Sequence, residues 1–280
     1  MIWRRGDDSY PQSLEDLDCP PPQLFALGDR SMLEPPTVSI VGTRDATGYG
    51  LRITRAIAGA LARAGVSIVS GMARGIDAAA HRAALEAGGR TVAVMGTGVD
   101  VPYPVAHREL HRLISEKGLV ISENGMGARA HKGAFPKRNR IIAALAKVTI
   151  VIEGAETSGA LNTADWAGDL RRTVAAVPGP IDSPQSAGTN LLIRTKSATM
   201  LSAVDEALAL VGVDAPRRAP EPQLDETERA IWNALGDGGL DVDALCTRSN
   251  LPARECLAAI TSLELHGMVE CLLTGEVRRR

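Results

Sequence analysis

The residues best suited to binding chemistry lie in one stretch, residues 122–144, with the sequence SENGMGARAHKGAFPKRNRIIAA. Residues 129–140 contain five cations and no acid, and one aromatic residue, Phe135, stands among them. The cations are Arg129, Lys132, Lys137, Arg138 and Arg140. Basic residues around one exposed ring suit a single-stranded nucleic acid, because the charges meet phosphates and the ring stacks on a base. A solvated basic loop with a buried phenylalanine is the alternative that this pattern leaves open.

Pro136 indicates where the next helix begins, because proline is tolerated at a helix start. The sequence therefore predicts a helix over 137–147, with Arg138, Asn139 and Arg140 on its first turn. A first turn has free N–H groups and the positive end of the helix dipole, which repels cations. Cations at such a place make sense if an anion docks there.

Glycine and polar residues follow the apolar runs that read as strands. Gly42-Thr43-Arg44 follows the first run, and Ser70-Gly71 follows the second, with Arg74 a little further on. Ligands of open α/β sheets bind at the carboxyl ends of strands, and glycine lets them approach the backbone. The pattern favours a crevice for an anion, although tight turns alone explain any single glycine.

Motifs for catalysis and cofactors are weak. The loop GTRDATGYG fits neither GxGxxG nor a P-loop, so no nucleotide cofactor is predicted. Asp77 and His81 stand four residues apart, which allows an acid–base pair but more often reflects helix structure. HRELH over 107–111 lacks the HExxH order of zinc proteases, so no metal is predicted. For Glu123 and Glu153, capping of N–H groups or pairing with arginine is favoured over paired-carboxylate catalysis.

The elements that must position these residues alternate between strand and helix. Apolar, β-branched runs predict strands at 37–42, 66–71, 91–96, 119–123, 148–154 and 173–179. Helical patterns lie between them at 49–64, 75–88, 104–117, 137–147 and 158–170. This alternation predicts an α/β fold with an extended, Rossmann-like and mainly parallel sheet. The domain is expected over 37–212, preceded by a proline-rich lead-in over 1–36.

A second, smaller domain is predicted at residues 224–280, after a charged, proline-rich linker at 213–223. Three helical patterns and a hairpin around Thr274-Gly275 predict a winged-helix unit. Such units often bind duplex DNA. Residues 217–280 hold eight arginines against eleven acidic residues, so a contact with protein is favoured here.

Composition limits the class of protein. The chain has 280 residues, 45% of them hydrophobic, and a net charge of −2, so any nucleic-acid site must be local. Its four cysteines show no CxxC spacing and predict reduced thiols. No apolar run is long enough to cross a membrane and no signal segment is visible, so a cytoplasmic protein is expected.

Long motifs between residues 10 and 201 resemble the DNA-processing protein A family (DprA, also called Smf). They are VGTRDATGYG, SGMARGIDAAAH, GTGVDVPYP, FPKRNRIIA, SGAL, AVPG and GTNLLI, in the order and spacing of that family. The resemblance implies a Rossmann-like domain that binds single-stranded DNA as a homodimer. It also implies delivery of that DNA to the recombinase RecA in natural transformation. The sequence shows no activated nucleophile with a base beside it, so no enzyme is predicted.

The resemblance also implies a binding site, carried over residue by residue. Its members are Gly42, Thr43, Arg44, Ser70, Gly71, Arg74, Lys132, Phe135, Arg138, Asn139, Arg140, Ser158 and Gly159. Two positions depart from the family: Gly125, where proline is usual, and Lys196-Ser197, where a Gly-Ala pair is usual.

Two other functions remain open at this point. The same fold class hosts nucleotide phosphoribohydrolases of the lysine-decarboxylase-like family, but their PGGxGTxxE motif is replaced here by FPKRNRIIA. A regulatory protein that senses a small nucleotide in the same crevice is the other alternative.

Overall fold

The chain forms two compact units, residues 1–216 and residues 217–280. A computed structural model describes residues 1–34, 36–213, 224–235, 239–272 and 275–279. The predicted linker at 213–223 lies outside the described residues except for Val213.

The larger unit is built on a nine-stranded sheet. Its strands are β1 (Ile2–Arg4), β2 (Gln23–Gly28), β3 (Thr37–Val41), β4 (Ser67–Ser70), β5 (Thr91–Met95), β6 (Leu119–Ser122), β7 (Val148–Val151), β8 (Thr173–Ala176) and β9 (Thr199–Met200). They lie in the order β1-β2-β6-β5-β4-β3-β7-β8-β9. All pairs from β6 to β9 are parallel, which confirms the predicted mainly parallel, Rossmann-like sheet.

Helices cover both faces of this sheet. They are α1 (Gly48–Arg63), α2 (Ile76–Glu86), α3 (Arg108–Lys117), α4 (Ala134–Leu145), α5 (Gly159–Asp169), α6 (Ala187–Arg194) and α7 (Val204–Val211). Successive residues of a strand point to opposite faces, so Ile40 packs with α1 and α2, whereas Val41 packs with α4 and α5. Strands β4, β6 and β7 are buried at every residue, as expected for strands with helices on both sides.

The N-terminal segment contributes two strands that the sequence analysis did not predict. Strand β2 pairs antiparallel with β6, from Phe25 opposite Ser122 to Gly28 opposite Leu119, and β1 pairs antiparallel with β2. These two strands were not predicted because their apolar runs are short and the segment is rich in proline. Such a segment is interpreted as extended chain without sheet partners.

Helix α4 begins at Ala134, so the prediction that it opens at Lys137 is wrong. Pro136 occupies the third helical position, which is still within the first turn, where an N–H group has no helical partner. Arg138, Asn139 and Arg140 consequently lie beyond the first turn and are buried.

Lys196 adopts a backbone conformation that glycine prefers. Its φ of 59° lies in the left-handed region. Hydrogen bonds from Lys196 N to Ile193 O (3.1 Å) and from Ser197 N to Leu192 O (2.9 Å) hold the turn after α6. The departure from the family's Gly-Ala pair therefore places a side chain on a left-handed position without removing the turn.

The smaller unit confirms the predicted winged helix. Its helices are α8 (Glu226–Leu235), α9 (Val242–Ser249) and α10 (Ala253–Leu265), and its strands are β10 (Leu240–Asp241), β11 (Val269–Cys271) and β12 (Glu276–Arg279). Strand β12 pairs antiparallel with both β10 and β11. The predicted turn residue Thr274 lies outside the described residues. Among the helices described in either unit, none is long and apolar enough to span a membrane.

The burial pattern of β2 allows a test of whether this N-terminal strand contributes to the core. Leu24 is fully buried and Leu27 is 41% exposed on the same strand. We expect Leu24→Ala to lower the free energy of unfolding by about 2–5 kcal/mol, because it removes buried methyl groups and leaves a cavity. Leu27→Ala, the matched control, should change it by less than about 0.5 kcal/mol. Chemical denaturation measures both values, and equal effects would contradict the assignment of β2 to the core.

Candidate nucleic-acid interface

A cavity of about 680 Å³ opens at the carboxyl ends of β3 and β7. These parallel neighbours mark the switch point of the sheet, because the chain runs from β3 to β6 on one side before β7 starts the other side. We call this space the switch-point cavity. Nine of the predicted site residues line it: Gly42, Thr43, Arg44, Lys132, Phe135, Arg138, Asn139, Ser158 and Gly159.

Glu153, just beyond β7, holds the loop that follows β3. Its backbone oxygen accepts a hydrogen bond from Thr43 N (2.7 Å), and its carboxylate accepts one from Thr47 N (3.0 Å) and another from the Thr47 hydroxyl. A Cβ on Gly50 would lie 2.2 Å from the Glu153 carboxylate, so a side chain there would displace this carboxylate from its present position. Capping of N–H groups by Glu153 is therefore confirmed, and it fixes the loop that presents Arg44.

One face of α4 lines the cavity. Phe135, Arg138, Asn139 and Ile142 are spaced by three and four residues, so they lie along the same side of the helix. Arg140 stands on a different side and lines no part of the switch-point cavity. Its guanidinium donates to Glu123 (2.8 Å), which Lys137 also approaches (3.1 Å). The favoured pairing of Glu123 with arginine is confirmed.

Phe135 is neither fully exposed nor the lone aromatic ring that the sequence suggested. It is half-buried, and its ring centroid lies 5.1 Å from that of Tyr103. The guanidinium carbon of Arg44 lies 5.8 Å from the Phe135 centroid, over the ring. We call these three side chains, Arg44, Tyr103 and Phe135, the aromatic wall. The sequence analysis missed Tyr103, whose position within GTGVDVPYP was the available signal.

Arg138 is buried at the floor of the cavity. It donates hydrogen bonds to the backbone oxygens of Gly71 (2.7 Å) and Val94. A Cβ on Gly71 would lie 2.6 Å from an Arg138 nitrogen, so the glycine leaves room for the guanidinium. Burial lowers the pKa of Arg138 to about 10, and the nearby Asp77 carboxylate partly opposes this shift. Arg138 thus ties α4 to the ends of β4 and β5.

Asp77 and His81 make their hydrogen bonds to different elements. The Asp77 carboxylate accepts from Ala73 N (3.2 Å), and burial raises its pKa against the opposing charge of Arg138. His81 Nδ1 contacts the Thr91 hydroxyl (2.7 Å), and burial lowers the pKa of His81 to about 3. These contacts favour the structural interpretation of the pair over acid–base chemistry.

Four predicted site residues do not line the switch-point cavity. Ser70 is fully buried and donates to Ile40 O (2.6 Å), and Arg140 pairs with Glu123. Gly71 and Arg74 line a neighbouring cavity of about 360 Å³, together with Arg44 and Arg138. Their assignment to DNA binding stays a prediction.

Unpaired cations lie at or near the switch-point cavity: Arg44 and Lys132 line it, Arg74 lines the neighbouring cavity, and Arg129 directly precedes the lining residue Ala130. Within the described part of the chain, the side chains of Arg44, Arg74, Arg129 and Lys132 form no hydrogen bond or ion pair, and all four are exposed. The N-terminus of α5, which begins at Gly159, adds backbone N–H groups suited to an anion, whereas the N–H of the preceding Ser158 already donates to Ala155 O (2.9 Å). The arrangement can hold phosphates around a flat aromatic surface.

Both histidines of HRELH form hydrogen bonds with backbone oxygens. His107 Nδ1 contacts Met72 O (2.9 Å), and His111 Nε2 contacts Val99 O (2.8 Å). No cluster of three potential metal ligands occurs among the described residues.

Comparison with known proteins gives two family matches. Residues 1–212 match the family described as DNA recombination-mediator protein A, and residues 215–272 match the DprA winged helix domain. A Mycobacterium tuberculosis protein provisionally assigned as DNA processing protein DprA is 40% identical over 258 residues, which are 89% of this chain. The chain spans 66% of the length of that relative and 52% of the length of Protein Smf from Synechocystis.

Two solved structures are similar as well. DNA processing protein A from Streptococcus pneumoniae superposes with a TM-score of 0.72 at 40% identity, covering 75% of this chain and 73% of that one. A structure of DNA processing protein A from Helicobacter pylori gives a TM-score of 0.70 at 29% identity, covering 76% and 96% of the two chains. That structure concerns the single-stranded DNA binding mode of the Helicobacter protein.

Because Arg138 is buried and Arg44 is exposed, their substitution is predicted to change stability by very different amounts. Arg138→Met should lower the free energy of unfolding by about 3–5 kcal/mol, because it leaves two buried carbonyl groups without their donor and removes the positive charge near the buried Asp77 carboxylate. Arg44→Met, the matched control, should change it by less than about 0.5 kcal/mol. Urea denaturation measures both values. A stable Arg138→Met variant would show that the buried guanidinium does not hold α4 on the sheet.

Proposed function

Because the chain belongs to the DNA recombination-mediator protein A family, we propose that its switch-point cavity binds single-stranded DNA. The protein then presents the bound strand to the recombinase RecA as a homodimer in the cytoplasm, in natural transformation. The proposed binding residues are the thirteen predicted ones, with Arg138, Asn139, Arg140 and Ser70 acting chiefly as supports for the others.

The observation that carries this proposal is the aromatic wall beside unpaired cations. Arg44 stands over the ring of Phe135, so a phosphate-binding charge and a base-stacking surface lie side by side. Stacking on aromatic rings tolerates every base, and cations follow the backbone, which together suit a strand of any sequence. The similar Helicobacter protein binds single-stranded DNA, which supports the same ligand here.

The proposal describes a binding protein and no enzyme. Of the carboxylates considered for catalysis, Glu153 caps the loop after β3 and Glu123 pairs with Arg140. Asp77 is the acidic residue that lines the switch-point cavity, and its carboxylate is engaged by Ala73 N. Nothing in this set supports an activated nucleophile beside a free base. These contacts favour holding a strand over the phosphoribohydrolase alternative.

The proposed delivery of DNA to RecA is based on the ability of the site to hold a strand without cleaving it. A site that holds a strand without cleaving it serves a partner that acts on the strand. A homodimer would hold two segments of one long strand and raise the effective concentration of the second contact. The acidic winged-helix unit is proposed as a surface for protein contacts.

The first prediction concerns the ligand and its salt dependence. If about three to five cations meet phosphates, log affinity for oligo(dT) should fall against log salt with a slope of roughly −2 to −4. Single-stranded DNA should bind more tightly than a duplex of the same length. Fluorescence anisotropy across a salt series measures both, and a flat dependence or tighter duplex binding would refute the proposal.

The second prediction separates charge from stacking. Arg44→Ala should weaken binding and make the salt slope shallower by roughly 0.7, the share of one phosphate on a single strand. Phe135→Ala should cost about 1–3 kcal/mol of binding and leave the slope nearly unchanged. Arg55 is exposed on α1 and lines neither cavity, so Arg55→Ala is the matched control. Thermal melts establish that each variant is folded, and the assignment fails if Arg55→Ala has the same effect as Arg44→Ala.

The third prediction concerns RecA. On strands coated with single-strand-binding protein, the wild-type chain should accelerate RecA strand exchange, because RecA receives DNA that is already held. Arg44→Ala should lose most of this acceleration, and Arg55→Ala should keep it. Equal acceleration by wild type and Arg44→Ala would contradict DNA-dependent loading.

A further inference from the structure

The smaller unit exposes its large apolar side chains on one helix. Among its described residues, the large apolar side chains that are exposed are Leu257 (51%) and Leu265 (83%), and both belong to α10. Thr261, which is also exposed, lies midway between them, four residues from each. Residues spaced by four form a ridge along one side of a helix. We call these three side chains, Leu257, Thr261 and Leu265, the α10 ridge.

The opposite side of α10 belongs to the core of the smaller unit. Cys256, Ile260 and Leu263 are buried there, together with Ile231 of α8 and Leu245 of α9. The α10 ridge points away from this core, because its positions alternate with the buried ones along the helical repeat. The ridge is therefore an apolar surface that the fold of its own unit does not use.

The charges of α10 argue against duplex DNA as the partner of the ridge. The helix follows α9 in the place of the recognition helix of a helix-turn-helix, which enters the major groove in DNA-binding proteins. Within its 13 residues, α10 carries one cation, Arg254, against two acids, Glu255 and Glu264. Binding to duplex DNA depends on cations that meet phosphates. Exposed leucines at this place suit contact with a protein surface instead.

The ridge and the charges beside it are complementary to a second copy of themselves. Arg254 stands before the ridge and forms no hydrogen bond or ion pair among the described residues, and Glu264 stands near the end of the ridge. Two α10 helices that met in parallel would oppose like charges. Two that met antiparallel, crossing at Thr261, would place Leu257 of each against Leu265 of the other. Arg254 would then lie about 6 Å along the helix axis from Glu264 of the other copy, within reach of an arginine side chain.

Such a contact is isologous, since each copy offers the same surface to the other. Thr261 at the crossing point and Ala258 beside it are small, so the two helices can approach closely. A contact between one helix and its copy is smaller than a standard interface, and it is weak by itself. A long DNA strand holds several copies at a high effective concentration, and a weak contact between neighbours becomes effective there.

We propose that the α10 ridge is a contact between copies of this chain, which pairs the winged-helix units of two copies bound to one DNA strand. The contact makes binding to a long strand cooperative and leaves binding to a short strand unchanged. This inference rests on the proposed function, because the bound strand is what brings the copies together.

The first test places a cysteine at the crossing point. Thr261→Cys should form a disulfide between two copies when diamide takes up the two thiol hydrogens, because position 261 of one copy meets position 261 of the other. The exposed native cysteines, Cys19 and Cys271, are replaced by serine beforehand, and this parent gives the background. A long oligo(dT) should raise the crosslinked fraction by at least about threefold over a short one. Thr247→Cys, exposed on α9, is the matched control and should stay at the background.

The second test reverses the charges beside the ridge. Arg254→Glu and Glu264→Arg each bring like charges together, so each variant alone should bind a long oligo(dT) at least about fivefold more weakly than wild type. An equal mixture of the two variants should recover the affinity, because opposite charges meet again. Recovery distinguishes the contact from a local loss of structure, such as loss of the hydrogen bond from Cys271 N to Glu264 (3.2 Å). A short oligo(dT), which spans one site, should bind all of these proteins equally.

The third test breaks the apolar part of the contact. Leu265→Asp should weaken binding of the long oligo(dT) and leave the short one unchanged. Asn233→Asp, exposed on α8, adds the same charge elsewhere on the unit and should have no effect on either strand. Thermal melts establish that each variant is folded, and Leu265→Ser replaces Leu265→Asp if the latter unfolds.

The outcomes separate this contact from the other proposals. A crosslinked fraction at position 261 no higher than the background, or no recovery on mixing the charge variants, would overturn the inference. If wild type does not bind the short oligo(dT), the proposed function fails, and the inference fails with it. If Leu265→Asp binds both strands as wild type does but no longer accelerates RecA, the ridge docks another protein and the inference is wrong.

Discussion

A buried guanidinium, that of Arg138, constrains the architecture of the binding site. Taking a charge out of water is expensive unless acceptors meet its donors. Here the backbone oxygens of Gly71 and Val94 accept from Nη1 of Arg138, whereas its buried Nε has no hydrogen-bond partner among the described residues. This requirement explains the glycine at position 71, the nearby Asp77 and the docking of α4 across the ends of β4 and β5. Once Arg138 is fixed, the helical repeat places Phe135 one turn earlier on the same face. The position of the aromatic wall therefore depends on a residue that binds the protein's own backbone.

The fold could be predicted largely from the sequence, because strands that are buried on both faces give continuous apolar runs. The segments TVSIV of β3 and VTIV of β7 are such runs, and the structure pairs them at the switch point. Strand β2 gave no such signal, since it is an antiparallel strand in a proline-rich segment with exposed positions. The start of α4 was misplaced because proline is acceptable at several positions of a first turn, and the sequence does not distinguish among them.

The site could be predicted only in part, because the type of a basic residue does not reveal whether its side chain is buried or free to bind a ligand. Arg44 and Lys132 are exposed and unpaired within the described residues, whereas Arg138 and Arg140 are buried and already bonded. The difference arises from helical position and from distant partners such as Glu123, which no local pattern reveals. The motif GTGVDVPYP marked the segment that contains Tyr103, but the contact of this ring with Phe135 arises only in the tertiary fold. The protein as a whole carries a net charge of −2, so the unpaired cations near the switch point form a local feature.

The central claim is that a single strand lies in the switch-point cavity against the aromatic wall. Photo-crosslinking tests it most directly, with an oligonucleotide that carries 4-thiothymidine at each position in turn and mass spectrometry of the linked peptides. The account predicts crosslinks to peptides that contain Phe135 or Tyr103, with loss of crosslinking when unlabelled oligo(dT) competes. Crosslinks confined to the winged-helix unit, residues 224–280, would contradict it.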